Sequence, residues 1–426
     1  MSLAQTKEKA TKERLTSMEL PLKGWSASAR SDAYDRLMGM GLPVRRDEYW
    51  KYTRPDAFTS ADVPRAAMQE DNDPPIFDAL DCHKLVFVDG IYSEEFSDGL
   101  SIDGVTLELL SSTSDVDIHW AKSLYGSLEK KGQKPVARPL AAFNSAFAQE
   151  GILMHVKKTP PKPISLHYVR ESDVSDVMLH HVVKIDEGAS ITILESGDVA
   201  ARCNMAIEAE IEKDGQLNHV RAQGRDHERN ALTHIFAQLE EQSQFKSFCL
   251  TMNGVLTRNE TVIEMRGDDG MAHVAGASVG DGDFHHDDTV FITHDALRGE
   301  SRQVFKKVLR NGATGVFQGK ILVKPDAQKT DGYQISQSLL LDDDSQFLAK
   351  PELEIYADDV ACSHGSTSGA IDEEALFYLR SRGVPAEEAT NLLTLAFLAE
   401  ALEEVENQEI SDVLNAHLEG RLKRGC

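Results

Sequence analysis

The chain has 426 residues, enough for two or three domains around a large core. Its hydrophobic fraction of 41% and charged fraction of 27% are ordinary for a soluble globular protein. A formal net charge of −25 argues against non-specific binding to nucleic acid or to anionic membranes, since phosphate contacts need a basic surface.

The five cysteines, Cys82, Cys203, Cys249, Cys362 and Cys426, include no CxxC pair. A set this sparse is not a disulfide framework, and a reducing cytoplasm is the simplest compartment. The N-terminus, MSLAQTKEKATKERL, has no apolar signal core, and no apolar run approaches the length of a membrane span.

In chain order, residues 4–16 read as a short polar helix. A second helix, capped by Ser26 or Ser28, reaches about Met38 and is stopped by Gly39, Gly41 and Pro43. The aromatics of RRDEYWKYT, Tyr49, Trp50 and Tyr52, suit anchoring of this segment against the body. Residues 54–82, rich in Pro, Asp and Ala, read as a mobile connection. KLVFVDGIY gives a strand, a turn at Asp89–Gly90 and the start of another strand, and residues 117–131 and 138–149 are helical. Residues 1–150 thus form an α+β region without a catalytic pattern.

From Gly151 short β-rich runs dominate, among them ISLHYVR, MLHHVVKI, SITILES and MAIEAEI. Turns of one type recur between them: DEGAS, EKDGQ, EEQSQ, GDDGM, RNGAT and DDDSQ. Gly188, Gly215, Ser243 and Gly270 fall at intervals of about 27 residues, each holding two strands. One coil of a flattened β-helix has that content, and so does an antiparallel meander.

The stretch KPELEIYADDVACSHGSTSG, Lys350 to Gly369, reads as a strand in which Leu353, Ile355 and Ala357 alternate with polar neighbours. Asp358–Asp359 shift the parity, and Val360, Cys362 and His364 then share one face. Extended backbone places Cys362 and His364 roughly 7 Å apart at their Cα atoms, close enough to share one soft or borderline metal ion. The competing reading is a packed cysteine beside a hydrogen-bonded histidine. After Gly369 the pattern turns helical. Asp372, Glu373 and Glu374 suit a helix start, Arg380 and Arg382 its end, and Gly383 the position beyond. Ala389, Leu392, Leu393, Ala396, Phe397, Ala401 and Val405 form a stripe at helical spacing, and Ser411 caps a third helix before the basic tail RLKRGC, which reads as frayed.

This stretch, continued by IDEEALFYLRSRGV, resembles the C-terminal signature of the SufD branch of the SufB/SufD family, which serves iron–sulfur cluster assembly. SRQVFKKVL, GVFQGKILV and KTDGYQISQSLLL, between Ser301 and Leu341, and GLPVRRDEYWKYT, Gly41 to Thr53, extend the resemblance over nearly the whole chain. It implies a mainly β fold: a central right-handed parallel β-helix over 151–369, flanked by the α+β region 1–150 and a helical domain 370–426. It also implies a non-catalytic scaffold that pairs with a SufB-like paralogue and binds a SufC-like ATPase. Cys362 and His364 would then handle iron or a nascent cluster, transiently and at the SufB interface, with nothing tightly bound in the isolated chain. Asp372, Phe377, Arg380, Arg382, Leu392 and Phe397 would form the ATPase docking face, although such a stripe is otherwise core. Whether the isolated chain forms a homodimer stays open, and no nucleic acid or membrane partner is implied.

Other constellations are weaker. FHHDD, Phe284 to Asp288, with Asp281, Asp283 and His294, lacks the order of a calcium loop and reads as a solvated turn. His180 and His181 face opposite sides of a strand. GVFQGKI is one residue short of a phosphate loop and has Ile321 where a hydroxyl would hold Mg²⁺, so any ATPase activity would belong to a partner. Two further functions remain as alternatives: a cytosolic β-helix carbohydrate-active enzyme, whose carboxylate pair is not separable here, and a structural spacer with an inert Cys362.

Overall fold

The computed structural model describes residues 3–68, 74–224 and 229–424. Part of the 54–82 connection, and Cys426 at the end of the basic tail, lie outside the described residues. The N-terminal region carries helices α1 (Leu3–Leu15), α2 (Ala27–Met40) and α3 (Asp56–Thr59). Gly41, at φ 65°, ends α2 by donating its N–H to Leu37 O at 2.8 Å. Strands β1 (His83–Val88), β2 (Ile91–Ser93), β3 (Ser101–Ile102) and β4 (Val105–Leu109) follow, then helices α4 (Ser127–Lys131) and α5 (Pro139–Phe147).

The sequence next alternates between two sheets. It passes through β5 (Ile152–Val156), β6 (Ile164–Val169), β7 (Asp176–Ile185), β8 (Ser190–Gly197), β9 (Arg202–Ile211), β10 (Gln216–Gln223), β11 (Asn230–Leu239) and β12 (Gln244–Met252). It continues through β13 (Leu256–Met265), β14 (Met271–Asp281), β15 (His285–His294), β16 (Glu300–Arg310), β17 (Thr314–Val323), β18 (Asp331–Leu340), β19 (Gln346–Ile355) and β20 (Ala361–Ala370). Even-numbered strands from β6 to β20 pair in parallel as one sheet, and odd-numbered strands from β5 to β19 as the other. Two parallel sheets wound by one chain are a flattened β-helix, the architecture implied by the resemblance. The meander is excluded, because it requires antiparallel neighbours.

The turns explain the rhythm. Gly188, Asp214, Gln242, Asp269, Arg298 and Lys329 all have positive φ, and successive ones stand 26 to 31 residues apart. The N–H of each of the first five reaches the next coil's turn, for example Asp214 N to Glu241 O at 3.0 Å and Asp269 N to Leu297 O at 2.9 Å. A hydrogen-bond ladder therefore runs down the edge, and the left-handed position is filled mostly by Asp, Gln, Arg and Lys rather than glycine. Gly215, Ser243 and Gly270 each sit one residue after it, which is why the 27-residue glycine spacing was only approximate.

Side chains alternate strictly about the sheets. Inward positions such as Ile164, Ile193, Leu217, Phe245, Ile207, Ile235 and Ile263 pack between them. The outer face of the odd-numbered sheet is covered by α2 and α5, with Leu37 and Phe143 against Leu232 and Leu256. Asn144 Nδ2 donates to Leu179 O at 3.0 Å and to Asn204 O at 2.7 Å, which satisfies buried carbonyls at that contact. Trp50 is buried here under the Arg258 guanidinium, 4.2 Å from its ring, and Tyr49 meets the Phe291 ring edge at 5.1 Å; both aromatics anchor the segment.

The even-numbered sheet is covered instead by C-terminal helices. Helix α6 (Glu373–Ser381) stands apart, whereas α7 (Ala386–Leu402) and α8 (Gln408–Arg424) bury Leu398, Ala401, Leu414 and Leu418 against Phe248, Leu250 and Val279. Ion pairs Lys246–Glu406 and Lys306–Glu400 tie this layer down. No helix among the described residues is long and apolar enough to cross a membrane.

Candidate functional site

Both faces of the β-helix are covered, but its last coil is not. The interior is closed through β17, then opens: β19 is half-buried along its length, and β20 is exposed at most positions. β19 and β20 are also the outermost strands of their sheets. Their outer backbone groups form two parallel edges able to accept further strands.

Leu353 and Cys362 do not belong to one strand, contrary to the reading of 353–364 as continuous. Tyr356–Val360 form the turn between the two sheets, and Asp359 on it pairs with Lys329 on the turn of the preceding coil. The acidic residues that shift the alternation mark the change of sheet. Cys362 points inward, joins Leu353 and Val360 against Ile321 and Val323, and sits 3.2 Å from where a Cβ would stand on Gly332. His364, two residues on, faces the same way and lies in register beside Gln334. Burial pushes the Cys362 thiol above its ordinary pKa, with a Gly332 backbone hydrogen bond opposing. The thiol is therefore protonated at neutral pH and must lose that proton to take a metal ion.

The other candidate residues separate into two groups. On α6 the Asp372 carboxylate accepts from Glu374 N at 2.9 Å and Ala375 N at 3.0 Å, so it caps the helix. Phe377 is 74% exposed, Arg380 is exposed, and Arg382 lies over the exposed Tyr378 ring at 4.9 Å. Leu392 is exposed on α7. Phe397, by contrast, turns toward the β-helix, where the Lys306 ammonium is 4.7 Å from its ring. The stripe is thus mainly core, with Leu392 and Ala396 on its open side.

A second feature was not anticipated. Polar side chains occupy inward positions between apolar ones on several strands. Glu195 on β8 receives Arg221 Nε at 2.9 Å and the Tyr168 hydroxyl at 2.7 Å, and lies 2.6 Å from His219 Nε2. Burial alone would raise the Glu195 pKa, but Arg221 and His219 hold it well below the carboxylate range. Burial lowers His181 to about 4 and raises the thiols of Cys203 and Cys249 to about 11. Cys249 accepts from Gln223 Nε2 at 3.4 Å, and Asn259 Nδ2 approaches it at 3.7 Å. Asn259 leads on to His286 Nε2 at 3.2 Å, and Lys307 Nζ then bonds Asp288 at 2.5 Å and His286 Nδ1 at 3.0 Å. The available signal was parity: Glu195, His219, Arg221 and Cys249 each share the inward phase of apolar neighbours.

FHHDD is a buried strand start, not a solvated turn. His286 and Asp288 point into the β-helix, while Asp287 points outward to Arg258 and to the Thr53 hydroxyl, which donates to it at 2.5 Å. Ion pairing on both faces offsets the cost of burial. Because the set divides between two faces, it cannot converge on one ion. Among the described residues, no group of three His, Cys, Asp or Glu side chains is placed to hold a metal.

The chain matches two family descriptions: "SUF system FeS cluster assembly, SufBD core domain" over residues 168–397 and "SufBD protein N-terminal region" over residues 22–162. It is 28% identical over 415 residues to the iron-sulfur cluster assembly protein SufD of Escherichia coli, covering 92% of each chain. It is 26% identical over 432 residues to Protein ABCI7, chloroplastic, of Arabidopsis thaliana, covering 95% of this chain and 87% of that one. An iron-sulfur cluster assembly SufBD family protein of Synechocystis is 26% identical over 428 residues, covering 93% and 89% respectively.

Proposed function

The chain belongs to the SufBD family of iron–sulfur cluster assembly proteins, and within it we propose a SufD-type scaffold subunit that does not itself turn over a substrate. The observation that carries this reading is the open last coil. Two unpaired parallel edges flank an inward-facing thiol and imidazole, Cys362 and His364. A SufB-like paralogue ending in a matching coil would extend both sheets by strand addition and close the interior over these two side chains. Iron or a nascent cluster is then the cargo, held transiently between the subunits. Cys362 as thiolate and His364 as neutral imidazole are suitable donors for iron.

The α6 face supports a second contact. Phe377, Tyr378 and Arg380 on α6, a helix that buries no residue of its own, and Arg382 at its end make an exposed aromatic and basic surface, and Leu392 is exposed on the neighbouring α7. Aromatic and arginine side chains are the usual anchors of protein interfaces. A SufC-like ATPase is the proposed occupant, and it supplies the nucleotide chemistry in a cytoplasmic complex. The domains proposed for these roles are 1–150, 151–369 and 370–426.

Co-expression with SufB-like and SufC-like partners tests the reading. A stable complex that gains iron and sulfide, and loses both on Cys362→Ser or His364→Ala without falling apart, is expected. Wild-type loading in both variants would reduce the chain to a structural spacer.

A further inference from the structure

Along one edge of the β-helix, turns of neighbouring coils pair a basic with an acidic side chain. Lys213 meets Glu241 at 2.9 Å, Arg298 meets Asp269 at 2.7 Å, and Lys329 meets Asp359. The backbone repeats the last contact, with Lys329 N donating to Asp359 O at 2.6 Å. The opposite edge is built alike. Arg310 meets Asp281 at 2.7 Å, and the Asn311 N–H donates to the Asp342 carboxylate.

Both edges end on acids at the open coil. The last turn of the first edge, residues 356–360, carries Asp358 and Asp359. The last turn of the second, residues 341–345, carries Asp342, Asp343 and Asp344. Leu340 and Ala370 are register partners, so the chain leaves β20 beside that turn and runs into Asp372, Glu373 and Glu374. None of these segments contains Lys or Arg. Lys329 engages Asp359, and backbone N–H groups engage Asp342. Asp343, Asp344 and Asp358 are exposed and have no cationic partner among the described residues.

A second copy of this chain fits such an end badly. Copies related by a two-fold axis across it have two orientations. With the axis along the strands, each acidic corner meets its own counterpart. With the axis across the strands, one acidic corner meets the other. Acid faces acid in both cases, and like charges brought together disfavour the pairing.

We infer that the open end selects its partner by charge: it admits a chain whose matching turns carry Lys or Arg and rejects a second copy of itself. The partner's basic turns would add one more rung to the acid–base ladder at each corner. This rests on the strand addition proposed above and specifies what the added chain must carry. Exposed ion pairs contribute little affinity, so their effect is on the choice of partner.

The test uses the variant Asp343→Lys/Asp344→Lys/Asp358→Lys as a partner of known strand content. It leaves Asp342, Asp359 and Asp372, with their turn and helix contacts, in place. Sedimentation equilibrium is run on wild type alone and on an equimolar mixture with the variant. At about 50 mM salt the mixture should associate at least about tenfold more tightly than wild type with itself, and the advantage should vanish near about 1 M salt. Circular dichroism checks the fold of the variant. If it is unfolded, Asp343→Asn/Asp344→Asn/Asp358→Asn takes its place and should self-associate more tightly than wild type. Equal association of mixture and wild type, none in either included, or an advantage indifferent to salt, would overturn the charge rule. Capture of a SufB-like partner separates this from the reading beneath it. Unchanged capture by the Lys variant would remove the charge rule and spare strand addition. A wild-type chain that captures no such partner, while the mixture associates as expected, would do the reverse.

Discussion

Arg221 and Glu195 are register partners on β10 and β8, and their side chains meet inside the β-helix with Nε 2.9 Å from Oε2. The strands around them point Ile, Leu and Phe into the same space. A buried pair of this kind gains little over an apolar pair, but a single loss is costly, because a buried Glu195 carboxylate would keep only the Tyr168 hydroxyl and His219 as partners and no permanent positive charge.

Replacing Arg221 with Met should therefore destabilise the chain by about 3 kcal/mol or more. The measurement is urea unfolding at neutral pH. Glu195 fixes the acid side of the same experiment. Its folded pKa lies below its unfolded value, so its stabilising contribution is complete above the ordinary carboxylate range and is lost as pH falls through that range and below. An Arg221→Met variant as stable as wild type would show the pair to be dispensable.

His181 and His294 predict an earlier loss of stability. Both are buried and neutral, with pKa values lowered by burial from 6.5 to about 4. Between those values the unfolded chain binds protons that the folded chain refuses. Stability is full above pH 6.5 and falls as pH drops toward 4, by roughly 1.4 kcal/mol per pH unit for each histidine at most. His294→Asn should flatten the slope of unfolding free energy against pH across this window. An unchanged slope would mean that the histidine is already protonated in the fold.

Cys362 and His364 serve one site if they work as proposed. The double substitution Cys362→Ser/His364→Ala should then cost the complex little more cluster than the worse single change. Iron and acid-labile sulfide, measured on complexes of equal subunit content, provide the numbers. Additive losses would point to two separate roles.

Phe377 offers a cleaner probe of ATPase docking than deletion of the C-terminal helices. Leu398, Ala401, Leu414 and Leu418 complete the packing over Phe248 and Leu250, so removing residues 370–426 would strip the cover from a sheet face. Phe377→Asp, at a position 74% exposed, should change stability by less than about 0.5 kcal/mol yet weaken capture of a SufC-like partner. Full-affinity capture by this variant would move the docking surface elsewhere.

Much of this was legible in the residues themselves. Recurrent turns at Gly188, Asp214 and Gln242 and the alternation between them marked a coiled β architecture, because strand pleat and turn conformation are local properties. The Cys-x-His spacing placed Cys362 and His364 on one face for the same reason. The resemblance chose the β-helix over the meander, and parallel pairing of the strands agreed. Tertiary structure alone decided what lies above what. Coils of 26 to 31 residues differ in length, so the neighbour of a given inward residue depends on how each turn closes. Only the assembled register stacks His364 on Gln334 and Gln303, sets Cys249 among amides, and splits FHHDD between an ionic interior and the N-terminal layer. Pattern along a strand is fixed by the pleat, whereas contact between coils is fixed by long-range packing that no local window contains.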